Sequence, residues 1–141
     1  MQDFFQNNNK NSGSLTNAIT VACEGLIYTS ETDAPVVPVS GTAIDVINRE
    51  TILQQTGSPG DAAVEEVTFD GFFARLTTEK DWYGDVEKAR AKKFAELQEL
   101  LEGSLSERKV FRIGRTQLDI FAVGIDKDGC LMGVTTKAVE T

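Results

Sequence analysis

Histidine is missing from this chain of 141 residues. General acid–base work near neutral pH and many metal sites lean on that side chain, so its absence weakens the case for an enzyme. Carboxylate-only or lysine-based chemistry stays open. No Gly-rich phosphate loop, no nucleophile elbow and no ligand cluster with metal spacing takes its place. Basic residues are also scarce: 14 Lys and Arg stand against 22 Asp and Glu, a net charge of −8. That balance repels a phosphate backbone and argues against direct nucleic-acid binding. It favours a basic protein partner and speeds encounter with one, although many proteins are acidic for solubility alone. There are only two cysteines, Cys23 and Cys130, far apart and each among apolar neighbours (Val21 and Ala22; Leu131 and Met132). They read as buried thiols, with a single disulfide between them left open. The N-terminal residues lack the basic-then-apolar pattern of a signal peptide, and no apolar run is long enough to span a bilayer, so the cytoplasm is the expected location.

What is present suits one globular domain. The hydrophobic fraction of 40% and charged fraction of 26% are ordinary for a soluble protein, and the length supports a real core. Residues 1–13 are rich in Asn and Gln and read as a flexible tail, leaving 14–141 as the domain. Ser14 suits the N-cap of a first helix carrying Leu15, Ile19, Cys23 and Leu26 on one side, with Gly25 as its stop. The polar, acidic stretch Thr29–Pro35 reads as a surface loop, either a binding loop or a simple connector. Val36–Val39 is a candidate strand that Pro38 confines to an edge. Asn48 can cap a short helix, Arg49 to Thr56, stopped by Gly57. Val64 to Val67 is a candidate strand, and Phe69, Phe72, Phe73 and Leu76 follow at helical spacing as core filling. From Asp85, an apolar stripe of Val86, Ala89, Phe94, Leu97, Leu100 and Leu101 marks the clearest helix, ended by Gly103. Three strands close the chain, with Leu118–Val123 expected at the centre and a hairpin turn at Asp126-Lys127-Asp128-Gly129. Gly133 marks a bulge or a close packing contact. The order gives an α/β protein with a largely antiparallel sheet covered by helices.

The only tryptophan, Trp82, lies in the polar segment Thr77-Thr78-Glu79-Lys80-Asp81-Trp82-Tyr83-Gly84-Asp85. No Leu, Ile, Val or Phe falls between Leu76 and Val86, so the ring has little local apolar company. One reading folds it back onto the core across a helix start. The other makes Trp82 and Tyr83 part of a protein-binding surface, where such aromatics dominate contact energy.

From Ile52 onward the chain resembles the nuclease A inhibitor family, small acidic bacterial proteins that block a sugar-non-specific DNA/RNA endonuclease. The likeness rests on Ile52-Leu53-Gln54-Gln55-Thr56-Gly57, Phe72-Phe73 with Arg75, Thr77-Thr78, Asp81-Trp82-Tyr83 and Lys93-Phe94. It continues through Val110-Phe111-Arg112-Ile113-Gly114, Leu118-Asp119 and Thr136-Lys137-Ala138-Val139-Glu140-Thr141, with Gly25-Leu26 and Ser30-Glu31 upstream. The resemblance implies a three-layer α/β/α sandwich with a mostly antiparallel central sheet. It implies a stoichiometric inhibitor, with no cofactor or metal of its own, rather than an enzyme. The partner it implies is a basic, Mg²⁺-dependent nuclease of the ββα-metal type, met by a monomer. It assigns partner contacts to Glu31, to Trp82 and to Thr141, the last reaching toward the nuclease's catalytic metal. Lys80 stands where the family commonly has Gln, and its positive charge opposes contact with a basic nuclease. Gly84, the segment 36–49 and the longer N-terminal region also depart from the family.

Overall fold

A computed structural model describes the backbone of residues 2–141 and the side chains of residues 13–141. The first helix, α1, covers Gln2–Cys23, so Ser14 lies inside it and is not its N-cap. The side chains of residues 1–12 lie outside the described residues; in its backbone, the stretch expected as a tail over 1–13 is part of α1 from Gln2 onward. Ile19, Cys23 and Leu26 are buried as their spacing requires. Gly25 takes the left-handed conformation (φ +69°) that lets the chain leave the helix without a Cβ clash. The Lys93 ammonium donates to the Glu24 carbonyl and so caps the end of α1 from a distant helix.

The stretch expected to be a loop is partly a small hairpin. Strands β1 (Ile27–Thr29) and β2 (Asp33–Pro35) pair antiparallel, with Tyr28 opposite Ala34. Three-residue strands are too short to show a period, and the polar tip Ser30-Glu31-Thr32 masks them. Beyond it, β3 (Val37–Ala43) is an edge strand, as Pro38 demands. Helix α2 (Arg49–Thr56) starts in a capping box between Asn48 and Thr51 and stops at Gly57, again left-handed at φ +69°. Strand β4 (Val64–Val67) leads to Thr68, whose side chain caps α3 (Phe69–Thr77).

Helix α4 (Asp85–Ser104) passes through Gly103 and ends one residue later than expected. Its buried series is Ala91, Phe94, Leu97 and Leu101. Stepping back three or four residues from Ala91 reaches Lys88 and Glu87. Val86 and Ala89 therefore lie off the stripe and are exposed, a correction to the sequence reading. Strands β5 (Ser106–Gly114), β6 (Gln117–Ile125) and β7 (Cys130–Val139) form the closing meander.

The main sheet has five strands in the order β3-β7-β6-β5-β4, every neighbour antiparallel. Its centre is β6, as its two-sided apolar character predicts. Successive residues of the strands alternate between two buried clusters. Val110, Leu118, Ile120, Ala122, Met132 and Val134 pack with α1, α3 and α4. Phe111, Ile113, Val123 and Leu131 pack with Ile52 and Leu53 of α2 and with Ile44 and Ile47. The fold is thus mixed α/β with a five-stranded antiparallel sheet. Cys23 is buried and Cys130 half-buried, and both are free thiols, so the disulfide left open by the sequence is not formed. Burial raises the Cys23 thiol pKa to about 11, a shift that the nearby Lys93 charge partly opposes. Among the described residues no helix is long and apolar enough to cross a membrane.

Candidate functional site

The hairpin tip and the last residues of the sequence meet at one exposed corner. The Ser30 hydroxyl accepts a hydrogen bond from the Val139 amide at 3.0 Å, and the Glu31 amide donates to the Val139 carbonyl at 3.2 Å. Thr136 binds the hairpin from the other side, its hydroxyl donating to the Pro35 carbonyl at 3.0 Å. The tip is therefore fixed along β7. Glu31 then accepts twice from Thr141: once from the amide, and once from the hydroxyl at 2.8 Å. These two bonds, the hydroxyl first and the amide second, hold the Glu31 carboxyl below its usual pKa.

Beneath this corner lies an ion-pair cluster that sequence reasoning missed. Arg112 projects from β5 on the face that carries Val110. Its Nη2 is 2.5 Å from a Glu140 carboxylate oxygen and its Nε is 3.0 Å from one of Glu65. The Arg112 side chain is only 15% exposed, whereas Glu140 and Glu65 are 48% and 68% exposed, so the cation is shielded and its partners stay open to solvent. The hydrogen bond to Glu140 is the main reason that its pKa rises further. Tyr28, on β1, is half-buried beside it; burial raises its hydroxyl pKa, and the Arg112 charge partly opposes that rise. A signal was available: Arg112 is a charge flanked by the apolar Phe111 and Ile113 in the second half of β5.

Trp82 lies in the segment between α3 and α4 and is 72% exposed. This excludes the reading in which it folds onto the core. Tyr83 packs against it edge to face, with ring centroids 4.8 Å apart. The Lys80 ammonium lies 5.8 Å from the Trp82 ring centroid, within cation–π range. The loop is held by the Tyr83 amide donating to the Lys80 carbonyl at 3.0 Å and by Glu87 accepting from the Gly84 amide at 3.0 Å. Glycine serves as N-cap here because the Glu87 side chain closes the turn.

The four residues singled out from the sequence thus form two pairs. Glu31 and Thr141 touch directly, and Lys80 and Trp82 share a loop. Tyr83, which packs on Trp82, lines a groove together with Ile27, Tyr28 and Thr29 of β1 and with Arg75 and Arg90. A second groove, lined by Tyr28, Arg75, Arg112 and Glu140, continues from it toward the chain's last residues. Among the described residues no three His, Cys, Asp or Glu side chains gather as a metal site.

Residues 13–141 match the family described as "Nuclease A inhibitor-like protein". The chain belongs to the nuclease A inhibitor-like family. The match includes the hairpin tip, the α3–α4 segment and Thr141, so every residue of the two pairs lies inside it. No curated protein matches the chain. Membership in an inhibitor family suggests binding, rather than catalysis, as the work of this surface.

Proposed function

We propose that this protein is a stoichiometric inhibitor that binds and blocks the active site of a metal-dependent, sugar-non-specific nuclease. The observation that carries this reading is the exposed Glu31–Thr141 pair inside a chain of the inhibitor-like family. A nuclease active site is built to hold phosphate with cationic side chains and a divalent ion. Oxygen donors delivered to the same place compete with the substrate. Thr141 brings a hydroxyl, and Glu31 a carboxylate. Charge-assisted contacts of this kind are shorter and stronger than neutral ones. Trp82 adds rigid apolar area at the flank and excludes water around the charged contacts. The partner's metal, not one of the inhibitor's own, is the ion that Thr141 reaches.

The wider reading rests on the family likeness and the sequence. The two buried clusters on opposite sides of the sheet support a three-layer α/β/α sandwich. The free inhibitor is a monomer, it works in the cytoplasm, and the cell it protects is bacterial. A net charge of −8 draws it toward a basic partner.

The test is a DNA-cleavage titration against a Mg²⁺-dependent sugar-non-specific endonuclease. Activity is expected to vanish near one inhibitor per nuclease. Deletion of Thr141, or Glu31→Ala, is expected to weaken inhibition by about thirtyfold or more, the usual loss when one partner of a desolvated charged contact is removed. Thermal midpoints should stay put, because both side chains are exposed. Intact protein that leaves cleavage untouched at micromolar concentrations sinks the proposal for that nuclease.

A second reading is a diverged module of this fold that grips a different basic protein. Lys80 favours it, because its ammonium covers the Trp82 ring where the family commonly has Gln. Recovery of inhibition by Lys80→Gln, from an intact protein that lacks it, is the result that would support this second reading.

A further inference from the structure

The last three residues are held at more points than an exposed chain end needs. The Glu140 amide donates to the Thr116 carbonyl at 2.9 Å, which extends the β6–β7 pairing past Val139. The Glu140 carboxylate is gripped by Arg112 at 2.5 Å, and Arg112 is itself braced by Glu65 at 3.0 Å. Thr141 then reaches Glu31 through both its amide and its hydroxyl. Both glutamates at this corner are therefore engaged within the molecule: Glu140 by a cation, Glu31 by two donors.

This division assigns the roles. Glu140 is occupied as a holder, and the exposed pair of Glu31 and Thr141 is what remains to meet a partner. We propose that Arg112 is a positioning residue of the inhibitory site: by gripping Glu140 it keeps Thr141 seated against Glu31, so that Thr141 meets the nuclease already in place. The inference rests on the inhibitor reading above. Its physical basis is preorganisation. A frayed terminal residue must be ordered at the moment of binding, whereas a seated one has lost that freedom already. If only a fraction of molecules has Thr141 seated, apparent affinity falls by that same fraction. Arg112 suits the role better than lysine, because its fork holds Glu65 and Glu140 at once in fixed directions.

The experiment has two arms. In the first, backbone order parameters of Glu140 and Thr141 are measured by ¹⁵N relaxation in the free protein. They are expected near the rigid value of about 0.85 in the intact chain and below about 0.6 in Arg112→Gln, with Arg112→Lys in between. Glu140→Gln opens the same ion pair from its half-exposed end, leaves Arg112 on Glu65, and should loosen Thr141 equally. Unchanged order at Thr141 in both Gln variants overturns the proposal. The second arm measures nuclease inhibition in a double-mutant cycle with deletion of Thr141. Arg112→Gln should weaken inhibition about tenfold in the full chain and change nothing in the shortened one. An equal loss in both backgrounds means a merely structural role and also overturns it. The arms separate the two ideas. Absence of inhibition by the intact protein removes the inhibitor reading, while the order parameters still decide whether Arg112 seats Thr141.

Discussion

Glu31 is fully open to solvent, yet its carboxylate already holds both donors of Thr141. Its pKa is depressed, so the contact is complete above the ordinary glutamate range of about 4.3 and is lost as pH falls through the lower, folded value. We therefore expect the Thr141 amide resonance to be constant across neutral pH and to move only in acid below that range. An NMR titration of the Glu31 carboxyl and the Thr141 amide checks this. A Glu31 midpoint at or above the ordinary value would break the assignment. At this scale the sequence was legible unevenly. The lack of apolar residues between Leu76 and Val86 left two readings of Trp82 open, and the exposed ring selects the one in which it stays off the core. Glu31 and Thr141 were singled out by family likeness alone, since a surface Glu and a final Thr have no signature of their own. The pairing of Arg112 with Glu140 and Glu65 was not legible, because strand register decides it. Glu65 lies directly opposite Arg112 across β4–β5, and Glu140 follows the β7 strand that ends opposite Gln117.

The helix boundaries that residue chemistry controls are those the sequence specifies best. Asn48 and Gly57 bound α2 as their chemistry predicts, and Thr51 and Thr68 add caps that the structure reveals. The Asp126–Gly129 turn does the same: the Asp126 carboxylate accepts from the amides of Asp128 and Cys130, both at 2.9 Å, and Gly129 takes φ +82°. Elements without such punctuation were misread. The β1–β2 hairpin is too short for periodicity. The start of α1 shows no break at Ser14, because Gly13 alone costs a helix only about 1 kcal/mol. The apolar stripe of α4 was assigned by residue type in its first turn, where spacing from Ala91 excludes Val86. Of the two roles open to Gly133, the structure selects close packing. A Cβ there would sit 2.1 Å from the Ala122 carbonyl oxygen and 2.8 Å from the Val123 Cα, both in the backbone of β6. Backbone cannot swing aside as a flexible side chain does. Gly133→Ala is therefore expected to destabilise the fold by about 1–3 kcal/mol or more, read as a lower urea midpoint at unchanged m-value. A midpoint equal to that of the parent would mean that β6 and β7 separate at no cost, against their continuous pairing.

Charge acts on the molecule as a whole. An acidic surface of net −8 should steer it to a basic nuclease, so the association rate measured by stopped flow is expected to fall by about tenfold or more between low and high salt, with dissociation nearly constant. A rate indifferent to salt would detach the composition from the function. Fold class was readable at this scale from the order of elements, but sheet order was not. The edge strand β3 pairs with β7, its partner almost a hundred residues later, and no local pattern encodes that choice. The same long reach governs the corner where Glu31 meets Thr141, residues separated by 110 positions. Hydrogen bonds closed over such a span are among the last that loop entropy allows to form. The Glu31–Thr141 corner is thus a product of the finished topology, not of any segment. A chain with β7 unplaced has no partial version of it. Loss of the fold therefore always removes the site, and Thr141 can in addition leave Glu31 locally while the fold stands. On the inhibitor reading, a partly folded molecule protects nothing, and a folded one counts only while Thr141 is seated.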